Sequence, residues 1–195
     1  MDEIMRSFDT NVFATIRTAK AVIPHMAARK RGTVVNVGSI AGIVRPSPQA
    51  DLLILIVRPI PWSGVYSATK AALHSLTDAL YMECKPLHIH VVRSNFVANQ
   101  GPCVSLPPDS LYGDYIDAVL LHLTMRQTNK PLPADVFARR TVDAVLSAGG
   151  PPRYMSIGWM AGWYRVYEWL PRRWVLDLFW KWMGEGPRKA AQKMK

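Results

Sequence analysis

Thr33-Val34-Val35-Asn36-Val37-Gly38-Ser39-Ile40-Ala41-Gly42 is a short β-branched run that stops in a glycine-bounded turn. β-Branched residues without polar alternation read as a buried strand, the kind found in parallel sheets. Upstream, Asp2 to Ala28 reads as one amphipathic helix, with Ile4, Phe8, Val12, Ile16, Ala19 and Ile23 at three- and four-residue spacing. Pro24 is placed to kink its last turn, and Gly32 to stop it. Downstream, Val65 to Lys85 reads as a second helix closed by Pro86, and Ile89-His90-Val91-Val92 as the next strand. Helix, strand, helix, strand implies right-handed crossovers and a parallel sheet. The fold class expected is α/β: a partial Rossmann-like parallel sheet flanked by helices, with an aromatic-rich helical C-terminal extension.

The 195 residues suffice for one domain with a sizeable core. At 49% hydrophobic and 19% charged, the composition is globular. The N-terminus is polar and acidic, unlike a cleavable signal peptide. Cys84 and Cys103 are expected as free thiols, because two cysteines make no disulfide framework. The net charge of +10 favours anionic partners such as lipid surfaces or phosphorylated ligands. Nucleic acid is not expected: Arg29-Lys30-Arg31 is a short cluster that suits a helix C-terminus.

Further along, 102–114 reads as a proline-containing loop, 133–148 as a helix, and Gly149-Gly150-Pro151-Pro152 as a linker. The domain division is therefore 1–148, with an insert near 43–61, and a helical tail at 149–195. Six of the seven tryptophans fall between Trp159 and Trp182, interleaved with Arg165, Arg172, Arg173 and Lys181. Two readings stand for 154–183: a helix lying in a membrane interface, or one whose tryptophans pack back on the domain. No run there suits a bilayer span. Gly158-x-x-x-Gly162 has the spacing of a helix-pairing motif, but the apolar stretch around it is short.

Tyr66 and Lys70 stand four residues apart at a helix start, on one face. A tyrosine titrates near pH 10, and a neighbouring ammonium favours its phenolate. Such a pair can exchange a proton with a substrate oxygen. Ser39, on the turn after the strand, is placed to donate a hydrogen bond to the same oxygen. Taken alone, Tyr-x-x-x-Lys is equally met by two unrelated helix-surface residues. The five histidines show no metal-ligand spacing, and no metal is expected. Ser39 also lacks the Gly-x-Ser-x-Gly elbow of a hydrolase.

The strand-Asn36-Val37-Gly38-Ser39-x-x-Gly42 turn, followed by Tyr66-Ser67-Ala68-Thr69-Lys70-Ala71-Ala72-Leu73, resembles the short-chain dehydrogenase/reductase family. The helix carrying Phe8-Asp9-Thr10-Asn11-Val12 is similar to the family helix that supplies a catalytic asparagine. The resemblance implies a catalytic set of Asn11, Ser39, Tyr66 and Lys70, and cofactor contacts from Tyr66, Lys70, Asn36 and Ser94. It implies that Tyr66 protonates a carbonyl oxygen, Lys70 lowers its pKa and binds ribose hydroxyls, Ser39 orients the carbonyl, and Asn11 holds a water against the lysine. NADPH is the cofactor implied. Ser94 to Ala98, Leu106 to Tyr112, and Tyr164 to Asp177 with Leu170-Pro171 resemble fungal NADPH-dependent 1-acyldihydroxyacetone-phosphate reductases. That implies reduction of a lipid-like ketone to lysophosphatidic acid, a step of phosphatidic acid biosynthesis. It also implies location at the endoplasmic reticulum or lipid droplet surface, on the cytoplasmic face, or otherwise in the cytoplasm. Pairing into a homo-oligomer through the Tyr66–Lys70 helix is implied as well.

Three departures qualify the resemblance. The Thr-Gly-x-x-x-Gly-x-Gly turn that cradles a dinucleotide's pyrophosphate is not in this sequence, which places its first residue in the middle of the family fold. Ser39 and Tyr66 are 27 residues apart, about twice the family separation. In that interval Ile43 to Pro48 and Ile56 to Pro61 are near-copies, and the apolar run Leu52 to Val57 suits an extra strand. The strand at Ile89 to Val92 runs directly into Arg93-Ser94-Asn95, without the family's glycine-containing turn. The alternative expectation is an inactive fragment or pseudoenzyme that binds a membrane surface or a partner chain.

Overall fold

Asp2 to Gly38 builds the first half of a strand-and-helix layer. Helix α1 (Asp2–Phe8) passes through a π-helical turn (Asp9–Phe13) into α2 (Ala14–Ala28) without a break. A π turn holds more residues than an α turn, so it rotates everything beyond it. The expected apolar stripe is therefore split: Val12 and Ala19 are buried, whereas Ile4 and Ile16 are exposed. Pro24 lies inside α2 without ending it, and the helix stops at Arg29, before Lys30 turns left-handed. Gly32, expected as the stop, instead begins strand β1 (Gly32–Gly38). The structure, a computed structural model, describes residues 1–42, 44–46, 55–57, 61–95, 109–121, 132–156 and 170–186.

After β1 comes a 3-10 turn at Ile40–Gly42, then β2 (Val44–Pro46) and β3 (Leu55–Val57). These two pair antiparallel, Val44 with Val57 and Arg45 with Ile56. Parts of the near-copies thus pair with each other; the rest of the insert, 43, 47–54 and 58–60, lies outside the described residues. Helix α3 (Gly64–Cys84) leads through a 3-10 turn at Lys85–Leu87, which holds Pro86, into β4 (Ile89–Asn95).

β4 pairs with β1 in parallel, from Gly32 with Ile89 to Gly38 with Asn95. Its length corrects the expectation that it ends at Val92. Arg93 and Ser94 continue the strand because each finds support there. The Arg93 guanidinium bonds Asp78 at 3.1 Å and stacks 4.9 Å from the Tyr154 ring, and Ser94 is fully buried. β5 (Tyr154–Ser156) adds a third parallel strand, giving the order β1-β4-β5. The sheet therefore crosses the composition break at 148/149. The core joins Cys84, Ile89 and Val91 with Ile23, Met26, Val34 and Leu80. Cys84 is a free, buried thiol; Cys103 lies outside the described residues.

Helix α4 (Ala134–Val145) and helix α5 (Arg172–Trp180) follow, α5 running on into a π-helical turn at Lys181–Glu185. Among the described residues no helix is long and apolar enough to cross a membrane, and no group of three metal-ligating side chains occurs. The expected loop before Asp109, the tail at 157–169 with its Gly158–Gly162 pair, and the residues after Asn95 lie outside the described residues. Gly38, Asn95 and Ser156 are in register, so the C-terminal ends of all three strands share one sheet edge. Open α/β sheets bind ligands at that edge.

Candidate active site

The serine turn docks on the catalytic helix through two glycines. A Cβ on Gly42 would lie 2.6 Å from both the Ala71 nitrogen and the Lys70 Cβ. A Cβ on Gly38 would meet the His74 ring and come within 2.8 Å of the Ser94 carbonyl oxygen. Only a bare backbone lets the turn sit this close to α3. Because backbone is the obstacle at Gly42, the helix cannot yield. Gly42→Ala is expected to cost about 1–3 kcal/mol, read as a lower urea midpoint at unchanged slope.

Tyr66 and Lys70 share the face of α3 that meets this turn. The Lys70 ammonium lies 5.8 Å from the Tyr66 ring centroid and donates to the Val37 carbonyl at 3.1 Å. Burial pushes the Lys70 pKa down from its usual value. An ammonium has three N–H donors, so two remain for a ligand. Asn11 lies within the π turn, a feature frequent at functional sites. Its side-chain amide donates to Thr69 Oγ1 at 3.2 Å, and Thr69 donates to the Tyr66 carbonyl at 2.8 Å. Asn11 is thereby tied to the turn of helix that holds Tyr66 and Lys70.

Asn11, Asn36 and Lys70 border one open cleft of about 470 Å³ between α2 and β1. Ser39 and Tyr66 are not on its walls. Ser39 is buried, and its Oγ accepts from the Ala41 N–H at 3.2 Å. The side chains of the two other expected cofactor contacts have partners within the protein. The Asn36 side-chain amide is engaged by Thr77 Oγ1 at 3.0 Å and ties β1 to α3. Ser94 has no exposed surface, and its hydroxyl points to the Asn36 carbonyl 3.5 Å away. The first joins the sheet to α3 and the second joins β4 to β1.

Sequence reasoning weighed His74 only as a metal ligand and missed its role. It is 1% exposed, and its Nε2 accepts the Ser39 backbone N–H at 3.2 Å. Burial first, then the charge of Arg93 and to a smaller extent that of Lys70, push its pKa down to about 4 against the opposing Gly42 backbone, so the ring is neutral. The signal was present: 66, 70 and 74 recur every four residues, one face of a helix.

A family model for short chain dehydrogenases matches residues 1–51. Over 156 residues the chain is 30% identical to the NADPH-dependent 1-acyldihydroxyacetone phosphate reductase of Saccharomyces cerevisiae, covering 76% of this chain and 46% of that protein. The chain is similar to short-chain dehydrogenases in sequence. It is also 33% identical over 90 residues to the 3-ketodihydrosphingosine reductase of Bacteroides thetaiotaomicron, covering 46% of this chain and 28% of the relative. A short-chain dehydrogenase crystal structure from Streptomyces avermitilis superposes with a TM-score of 0.62 at 22% identity, over 85% of this chain and 56% of that one. The fold is thus the short-chain dehydrogenase fold. The chain spans about half the length of the curated relatives it matches, 46% of the yeast reductase.

Proposed function

We propose that this chain is a short-chain dehydrogenase, an NADPH-dependent reductase of a lipid-like ketone, with the ketone of 1-acyl-dihydroxyacetone phosphate as the leading substrate. The observation that carries this is the Lys70 ammonium, anchored on Val37 at the C-terminal end of β1, one helical turn from Tyr66 and tethered through Thr69 to Asn11. Lipid-like substrates are favoured because the acyldihydroxyacetone phosphate and ketodihydrosphingosine reductases are both named for a ketone on a long-chain molecule.

The residues present fit a nicotinamide nucleotide: Lys70 has two donors for ribose hydroxyls, and Asn11 borders the same cleft. When bound, NADPH supplies hydride to the carbonyl carbon. Tyr66 donates its phenolic proton to the carbonyl oxygen, which would otherwise carry a full negative charge. Lys70 holds positive charge beside the phenolate this leaves and so stabilises it. Asn11 fixes the helical turn that carries both groups. The His74 ring fixes the backbone of the Ser39 turn.

Titration of the purified protein with NADPH, followed by fluorescence enhancement, tests the reading. Saturable binding is expected, weakened at least about tenfold by Lys70→Ala, since a hydrogen bond from a charged group contributes about 1.5–3 kcal/mol. Turnover of acyl dihydroxyacetone phosphate against 3-ketodihydrosphingosine then identifies the substrate. No binding at millimolar NADPH would leave the chain a reductase by ancestry only, and would favour the inactive-fragment reading.

A further inference from the structure

Helix α5 is apolar on two sides. Val175 and Phe179 face inward and are buried. Trp174, Leu178 and Trp182 recur every four residues on another face and stand 64%, 43% and 47% exposed. Single exposed apolar residues are ordinary, but a run of three on one helix face marks an interaction surface. Arg173 and Lys181 flank it and are exposed, Arg173 meeting Asp177 only at 3.9 Å between two solvated side chains.

The residue types point to the occupant. Tryptophan favours the boundary between hydrocarbon and headgroups, where its ring is apolar and its N–H is wet. Arginine and lysine extend their heads to anionic groups while their stems lie along apolar surface. From Leu170 to Lys195 the sequence holds seven Lys and Arg against two carboxylates, a net +5 of the chain's +10. A protein partner matched to the stripe would not need that charge; an anionic bilayer would.

We propose that Trp174, Leu178 and Trp182 dock α5 onto the surface of an anionic phospholipid bilayer. The helix is joined by ring contacts to Trp62, two residues before the catalytic helix, and to Tyr115. Trp180 lies 5.9 Å from Trp62 and 5.6 Å from Tyr115, and Trp62 lies 5.6 Å from Tyr115. Trp62 stands four residues before Tyr66, ahead of the helix, and holds a left-handed backbone, φ 65°, uncommon for a bulky residue. Docking thus sets the start of α3 beside the membrane, where a lipid ketone resides. This coupling to Tyr66 rests on the reductase reading; the docking does not.

The test is flotation of the full chain with phosphatidylcholine vesicles, with and without phosphatidylserine, in the absence of NADPH and substrate. Its failure would leave the NADPH titration untouched. Binding to the phosphatidylserine vesicles is expected, with a blue shift of tryptophan emission. The pair Trp174→Ser and Trp182→Ser is expected to weaken it at least about tenfold. The pair Arg173→Glu and Lys181→Glu, which leaves the apolar stripe in place, is expected to weaken it as well, and added salt to do the same. Circular dichroism checks that each variant keeps its helix. No binding by the wild type, unchanged binding by the serine pair, or equal binding to both vesicle types would overturn the proposal. So would a dimer in light scattering that the serine pair converts to monomer, which would assign the stripe to a second copy of the chain.

Discussion

Tyr66→Phe is expected to lower kcat for NADPH-dependent ketone reduction by about 10²- to 10⁴-fold, the range a positioned proton donor contributes. The substitution removes one oxygen and leaves the ring. The Lys70 ammonium lies 5.8 Å from the centroid of that ring, which the substitution keeps. The bond from Lys70 to the Val37 carbonyl is likewise untouched. NADPH affinity should therefore stay at the wild-type value while turnover falls. Lys70→Ala should behave differently, because its ammonium serves both cofactor and tyrosine: binding and turnover should fall together. A steady-state comparison of the two variants, with the NADPH titration run on each, separates the roles. Wild-type turnover by Tyr66→Phe would show that the proton comes from elsewhere and would remove the central residue of the proposed mechanism.

How much of this site was legible depends on what each residue needs from its neighbours. The serine turn and the Tyr66–Lys70 pair could be read because local rules govern them: glycines mark the sharp turn, and four-residue spacing places two side chains on one helix face. The π turn around Asn11 has no residue signature. Ile4 and Ile16, on either side of it, are exposed against the simple periodic reading. β5 is three residues long, too short for any periodicity, and is defined only by pairing with β4. Arg93 looks like the end of a strand in the sequence. Its partners, Asp78 on α3 and Tyr154 on β5, are distant along the chain. Asn36 and Ser94 were assigned to the cofactor by resemblance alone. A resemblance fixes position in the fold but not which atoms a side chain bonds, and here Asn36 bonds Thr77 on α3 and Ser94 bonds the Asn36 carbonyl.

His74 yields the second large effect, on stability against pH. Its folded-state pKa is about 4, below the 6.5 of a free imidazole. The unfolded chain therefore takes a proton as pH falls through 6.5, while the folded protein refuses it until about pH 4. A group that binds its proton more weakly when folded makes unfolding more favourable as acid is added. The contribution is complete above the unfolded value, declines across this window and is lost by its lower end. The difference between the two pKa values corresponds to about 3 kcal/mol. The geometry agrees with the sign. Nε2 accepts the Ser39 N–H at 3.2 Å, so a proton there would set donor against donor. Burial and the positive charges of Arg93 and Lys70 oppose the proton and outweigh the Gly42 backbone, which favours it. His74→Gln retains an oxygen able to accept from Ser39 but does not titrate. Urea unfolding from about pH 7 to about pH 4 should show the wild type losing about 3 kcal/mol more than His74→Gln, with the carboxylates common to both. Parallel losses would mean that His74 is protonated in the folded state within the window, and that its ring does not hold the serine turn through an acceptor nitrogen.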